Sequence, residues 1–589
     1  MPDLSIFTLL AAMAGSGSSA AGGTAFDIQL NFVDYSILSI YLAFVIGIGF
    51  ALKHYTKSAD DFFLSGRSIP GWVTGLAFIS ANLGAQELIG MAASGAEYGI
   101  MTSHFYWIGA IPAMVFLGIF MMPMYYGSKA KSVPEYLKMR YDERTRVFNS
   151  YSFAFMTVFS SGISMHLLAE LMHSLLGWNY LVSLVATSAI VLAYVLKGGL
   201  SSAIYNEVLQ FFMIVFGIAP LAYLGLKDVG GWEGLMAKLN ASPLGEGAVH
   251  SWAQTAGTDN PMGIPWYGIL FGLGFVLSFG YWTTNFAEVQ RALAANSMGA
   301  ARRTPIIGAI PKMLFPAIVI LPGMIAYALS SDAVASGYSI PIKADGALNY
   351  NQVLPSMIFH YFPNGLLGLA LTAVMASFMS GMAANVTAFN TVWTYDIYQA
   401  LAGGRKTDKE LLRMGKIATV AGIIMAMGCA FIAAKYNNVM AILQLVFGFV
   451  NAPLFATFLL GMFSRRSNHQ GSFWGLVIGT STAVIFHGLC FATGNAPGVK
   501  GGWINPLIEY PKDLSQTFWI ATVAFSATFI IHAFLSLVTK RNKTDEELRG
   551  LVYSLTEKQV EDKDPWIIRP AILGTIVLVA SIFLNWYFW

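Results

Sequence analysis

Two cysteines in 589 residues, Cys429 and Cys490, both set in apolar runs, leave no basis for a disulfide framework or a thiolate metal site. Charge is equally scarce. Asp, Glu, Lys and Arg make up 11% of the chain against 56% hydrophobic residues, so the charge has to sit in loops and helix ends. A net charge of +3 spread over such loops gives no support for nucleic-acid binding. The nine histidines are scattered without HExxH or similar spacing, which argues against an integral-membrane enzyme built on a metal or a convergent nucleophile. Residues 1–31 carry no Lys or Arg. The short apolar run Leu4 to Ala14 therefore lacks the basic start of a secretory signal and reads as part of a flexible translocated tail.

What the chain has in abundance is long apolar runs. A helix of about 20 residues crosses a hydrocarbon core of roughly 30 Å, and fourteen stretches qualify. They are 32–52, 71–97, 102–125, 148–175, 180–196, 203–225, 265–290, 304–330, 364–396, 415–434, 438–463, 470–491, 516–539 and 568–588. The fourteen Trp and many Tyr gather near the ends of these runs, where amphipathic rings anchor at the interface. The expected fold is an all-α polytopic membrane protein. With the first helix running outside to inside, 27 of the 34 basic residues fall in inside loops and six outside (Lys227, Lys238, Lys343, Lys435, Lys500 and Lys512), with Lys312 left inside a helix. The positive-inside rule thus places both termini on the extracytoplasmic side of a cell membrane.

Two runs carry interruptions that lipid would not tolerate, because backbone polar groups in the bilayer must be paired unless they line a wet cavity. The second holds Ser80-Ala81-Asn82-Leu83-Gly84-Ala85-Gln86-Glu87, and the seventh holds Ser278-Phe279-Gly280-Tyr281-Trp282-Thr283-Thr284-Asn285. Matching breaks five helices apart point to inverted repeats that unwind at the midplane, where freed carbonyls hold ion and substrate. Ordinary glycine kinks are the alternative. Ionisable residues inside helices are a second pointer, since they are costly there. Glu87, Glu170, Glu207 and Lys312 qualify. Glu170 and His173 are spaced to satisfy each other, Glu207 suits a buried anchor as well as an ion path, and Lys312 lies within snorkelling reach of an interface. Ser377 and Ser380, one turn apart, can offer a carbonyl and a hydroxyl to a hard cation, although small residues also mark helix contacts.

These residues resemble the sodium:solute symporter family, and within it the sodium/sugar cotransporters, from about residue 32 to residue 480. The carriers are Asp61-Phe62-Phe63-Leu64-Ser65-Gly66-Arg67, Ser80-Ala81-Asn82, Ile89-Gly90-Met91 and Val133-Pro134-Glu135-Tyr136-Leu137. Further on come Gly198-Gly199-Leu200-Ser201, Glu207-Val208-Leu209-Gln210, Gln290-Arg291-Ala292-Leu293-Ala294-Ala295, Leu321-Pro322-Gly323, Asp396-Ile397-Tyr398 and Phe458-Leu459-Leu460-Gly461.

The resemblance implies a LeuT-like core of two inverted repeats of five helices, over 71–225 and 265–463. An extra helix at 32–52 precedes it and three more follow in 470–589. It implies a sodium site on the carbonyls of Ser80, Leu83 and Ser377 and the hydroxyl of Ser380, and a sugar site on Asn82, Lys312 and Gln444 with Tyr281 stacking as the inner gate. Met91, Phe105 and Met440 would form the outer gate, and Glu207 would lie by the ion exit. The chain also departs from the family: Gly381 lacks a usual second hydroxyl, Ala383 and Ala384 replace the hydroxyls of a second sodium site, and Tyr106, Gly109, Ser278 and Glu87 replace polar groups of the sugar site. Losing one oxygen weakens a small-cation site unless water replaces it.

The function implied is sodium-coupled uptake of a small polar solute, a sugar or polyol, with one ion per cycle. No organic cofactor and no obligate protein partner is called for; lipid and solute are the partners. Three other readings stay open on the residues: a proton-coupled porter titrating at Glu87 or Glu207, a sodium-independent porter of a cationic or amino-acid-like solute, and a solute sensor on the same fold.

Overall fold

The long apolar runs form helices, and the polar residues between them set where each helix starts. The computed structural model describes residues 30–52, 58–176, 178–343, 346–403, 406–436, 438–557 and 565–589. The expectation of a flexible tail over 1–31 therefore lies, save for its last two residues, outside the described residues. Sixteen of the described helices form the apolar spans and the halves of the bent ones. They are α1 (Phe32–Leu52), α2 (Gly71–Asn82), α3 (Ala85–Tyr98), α4 (Phe105–Gly127), α5 (Glu143–Leu176), α6 (Tyr180–Asp228), α7 (Gly268–Thr284) and α8 (Phe286–Leu293). Then follow α9 (Met298–Lys312), α10 (Pro316–Ser330), α11 (Leu366–Ala402), α12 (Asp408–Ala433), α13 (Val439–Phe463), α14 (His469–Leu489), α15 (Asp513–Val538) and α16 (Pro570–Tyr587). Between α14 and α15, Cys490–Ala492 and Ile508–Tyr510 pair as two short parallel strands.

Ten of these helices, or thirteen spans when three bent pairs are each taken as one, are long and apolar enough to cross a bilayer; a shorter apolar segment, Tyr180–Ala189, opens α6. A positive φ of 59° at Gly199 divides α6, and a Cβ there would press on Phe62 O at 2.8 Å. The two expected breaks are present: α2 and α3 meet at 57°, α7 and α8 at 49°. A third run is also bent. The stretch read as one span over 304–330 is bent by 43° between α9 and α10, where Pro311 and Pro316 remove backbone donors and Lys312 sits at the corner.

Side-chain caps fix the helix starts. Asn285 accepts from Ala287 N and so ends α7 and begins α8 with one residue. Ser297, Asn438 and Asn468 cap α9, α13 and α14 in the same way, and Thr407 with Glu410 forms a reciprocal capping box on α12. Where the helices touch, glycine permits the approach: a Cβ on Gly323 of α10 would land on the Ala92 carbonyl oxygen of α3, and one on Gly95 would land on Ile320 O. Such close packing is how apolar helices associate in lipid.

A carboxylate ties α1 to the start of α11, beside contacts from Asn206 and Gln210 of α6. Asp34, fully buried in α1, accepts from the backbone N–H of Gly365 (2.7 Å) and Gly368 (2.8 Å) and from Asn364 Nδ2 (2.7 Å), so it caps α11 from a helix 330 residues away. Replacing Asp34 by Ala is expected to remove about 2 kcal/mol of stability. The check is the thermal midpoint of purified D34A, with D34N retaining part of the loss; an unchanged midpoint refutes the cap.

Candidate functional site

Unwinding α2 at Leu83 and Gly84 turns the Ser80 and Leu83 carbonyls toward α11, where serines meet them; Ser80 O also accepts the Leu83 N–H at 2.9 Å. Leu83 has ψ 42° and Gly84 ψ 169°, both outside the helical range. The Ser380 hydroxyl donates to Ser80 O at 2.7 Å and the Ser377 hydroxyl to Leu83 O at 2.6 Å, while the Ser80 and Ser380 hydroxyl oxygens lie 3.1 Å apart. All three serines are fully buried. The result is a cluster of neutral oxygens bridging α2 and α11, the donor set a hard monovalent cation takes. Among the described residues no group of three or more His, Cys, Asp or Glu is placed to hold a metal ion. The glycine at 381 has a steric cause: a Cβ there would come within 2.8 Å of Gly84 Cα, so a hydroxymethyl side chain has no space beside the break.

A small cavity opens beside the apolar residues Met91, Phe105 and Met440. Its lining includes Asn82, Glu87, Tyr106, Ser278, Tyr281, Lys312 and Gln444, so every residue singled out for the solute converges here. Met91, Phe105 and Met440 line the same space and are 3%, 6% and 1% exposed. The ring of Phe105 packs edge-on against Phe518 of α15, which brings a helix from the C-terminal three onto the cavity wall.

Lys312 is the hub of this cavity. Its ammonium donates to Glu87 Oε1 and to Asn82 Oδ1, each at 2.5 Å, and lies over the rings of Tyr106 (4.6 Å), Trp282 (5.2 Å) and Phe315 (5.5 Å). At 2% exposure it does not snorkel to an interface; the bend between α9 and α10 turns it inward. Tyr106 donates to the same Glu87 oxygen at 2.6 Å. Asn82 Nδ2 in turn donates to the Tyr281 hydroxyl (3.2 Å), whose ring lies 4.7 Å from that of Phe447. Gln444 Nε2 meets the Met440 sulfur at 3.3 Å, a weak acceptor, and so stays available to a ligand. A Cβ at Gly109 would collide with the Ser278 hydroxyl, so these two departures from the family pattern fit each other.

Two expectations change on contact with the structure. Glu170 pairs with His166 at 3.4 Å and accepts from Asn349 at 3.0 Å, whereas His173 Nδ1 contacts Trp178 O at 2.6 Å, so Glu170 and His173 do not satisfy each other. Glu207 is fully buried with both carboxylate oxygens on the Arg291 guanidinium, rather than facing an open path. Sequence reasoning missed Arg291 as that partner. It also missed Glu288, buried on α8, which accepts the Tyr281 hydroxyl at 2.8 Å, and Gln86, which accepts from Ser160 and Ser164 of α5. The polar residues Glu288, Gln290 and Arg291, two of them charged, after a broken apolar run were the available signal.

The family model for the sodium:solute symporter family matches residues 62–479. The chain belongs to the sodium:solute symporter family. This symporter is a transporter, not an enzyme, and a multi-pass membrane protein. It is 28% identical over 458 residues to a sodium/glucose cotransporter of Vibrio parahaemolyticus, covering 76% of this chain and 84% of that one. It is 28% identical over 567 residues to sodium/glucose cotransporter 1 of Ovis aries, covering 91% and 82% respectively. Its fold matches that of a Na+-coupled sialic acid symporter solved in a substrate-bound outward-open state, with a TM-score of 0.72, 19% identity, and coverage of 87% of this chain and 100% of the other. The LeuT-like architecture expected from the sequence is thus the fold of this symporter.

Removing one partner of a buried ion pair strands the other, at a cost of about 3–5 kcal/mol. K312M is therefore expected to destabilise the symporter strongly, and E87Q/K312M to recover more than half of that loss. Thermal midpoints of the two single variants and the double variant check this; equal loss in K312M and the double variant would refute the pairing.

Proposed function

We propose that this symporter couples the inward movement of one sodium ion to uptake of a small, neutral, polyhydroxylated solute, a sugar or polyol, by alternating access. The observation that carries the reading is the internal neutralisation of the cavity. Glu87 is matched by Lys312, so a cationic solute would find no unbalanced carboxylate, while hydroxyl groups find acceptors and donors in Glu87, Asn82, Tyr106, Ser278 and Gln444. The Tyr281 ring supplies an apolar platform beneath. The names of the relatives, sodium/glucose cotransporters, point the same way.

On this reading the ion takes the oxygens of Ser80, Leu83, Ser377 and Ser380, joins α2 to α11 across the break, and so fixes Asn82 for the solute. Each ligand then favours the form the other needs, and the linkage is reciprocal. Ion binding requires the Ser377 and Ser380 hydroxyls to turn their protons away from the carbonyls they now serve. Met91, Phe105 and Met440 act as the outer gate and Tyr281 as the inner one. Glu207 becomes an exit stop once Arg291 leaves it. Residues 71–225 and 265–463 are taken as the two inverted repeats, and both termini as extracytoplasmic in a cell membrane.

A thermal-shift panel of sugars, polyols, amino acids and organic cations, run in sodium and again in potassium, tests the reading, because a ligand selective for the folded form raises the midpoint by mass action. The expected result is a shift by a sugar or polyol in sodium alone, abolished in S380A. A shift confined to organic cations, or one indifferent to sodium, overturns it.

A further inference from the structure

One buried carboxyl outside the cavity lining has no ion-pair partner among the described residues. Glu87 is paired with Lys312 and Glu207 with Arg291, which leaves Glu288 as the third carboxyl. Glu288 is 1% exposed. Its Oε1 accepts the Tyr281 hydroxyl at 2.8 Å, and its Oε2 has no protein partner among the described residues. The Tyr281 hydroxyl therefore has two partners, accepting from Asn82 and donating to Glu288. Glu288 and Arg291 stand three residues apart on α8, the spacing at which side chains on a helix are neighbours. Arg291 gives Nε and one terminal nitrogen to Glu207 on α6 and its other terminal nitrogen to Ala287 O at 2.8 Å.

We infer that Glu288 is a positioning residue of the inner gate: it latches Tyr281 shut through the phenolic hydroxyl, and when Tyr281 swings away it competes with Glu207 for Arg291. Gate opening and loosening of the α6 to α8 ion pair are then one event. The unpartnered oxygen explains why the exchange is available. A carboxylate that has lost its phenol keeps no hydrogen-bond partner in this setting, and the nearest cation on its own helix is Arg291. The inference rests on the reading of Tyr281 as the inner gate and requires no statement about which solute or ion is carried.

Amide hydrogen exchange of the full-length symporter in nanodiscs, without solute, tests it. E288L and Y281F are each expected to speed exchange in residues 279–293 about five- to tenfold, the scale of one lost buried hydrogen bond. The Y281F/E288L double variant should show no more than either single change. E288Q keeps an acceptor for the phenol and should exchange as the wild type. Around Glu207, Y281F should speed exchange, while Y281F/E288Q should not, because glutamine cannot draw Arg291 away. Wild-type exchange over 279–293 in E288L, or additive effects in the double variant, overturns the latch; wild-type exchange around Glu207 in Y281F overturns the competition. None of these readouts depends on the sodium and solute assay, so the two readings fail separately.

Discussion

An ammonium ion buried among apolar helices is the constraint around which this molecule is arranged. Lys312 has three donors and a charge that lipid would not accept, and the structure answers with one carboxylate, one amide oxygen and three aromatic faces. Each of those partners comes from a segment that departs from regular helix. Asn82 and Glu87 flank the break between α2 and α3, Lys312 ends α9 at its bend with α10, and Trp282 lies in the last turn of α7 before Asn285 interrupts it. The irregular backbone and the buried charge therefore explain each other: the breaks bring polar groups to one depth, and the ammonium gives them something to surround.

The oxygen cluster beside it obeys a tighter steric rule. Gly84 and Gly381 face each other so closely that a side chain on Gly381 would press on the Gly84 backbone, and this approach lets the Ser377 and Ser380 hydroxyls reach the carbonyls of Leu83 and Ser80. The hydroxyl absent at position 381 is the cost of that approach. Ser80 contributes both a carbonyl and a hydroxyl to the same small volume, with its hydroxyl 3.1 Å from that of Ser380.

Most of the helical layout was legible in the sequence, because run length and polar interruptions are one-dimensional signals. The breaks near Leu83 and Asn285 announced themselves by clusters of Gly, Ser and Asn in otherwise apolar runs. The bend at Lys312 did not, since Pro311 and Pro316 stand in a stretch whose hydropathy stays high. For the cavity, residue type and resemblance named its lining. What they left out was pairing. That Lys312 turns inward, that Arg291 occupies Glu207, and that Glu288 sits under Tyr281 are facts of three dimensions, joining residues 225, 84 and 7 positions apart. Only the last lies within the reach of a local pattern. Glu170 shows the converse error, where helical spacing suggested His173 and the contact fell instead to His166.

The carboxylate of Asp34 carries a consequence for how the chain is made. Its acceptors are filled by Asn364, Gly365 and Gly368, which leave the ribosome more than three hundred residues after it. Until they arrive, α1 holds an acidic side chain near one end with Asn31 as its partner, and such a group is retained at the water-facing rim of a bilayer rather than drawn into its apolar depth. Asn206 and Gln210 of α6 reach the Val45 carbonyl and the Tyr41 hydroxyl of α1 earlier, so the middle of this helix is held before its acidic end is satisfied by α11.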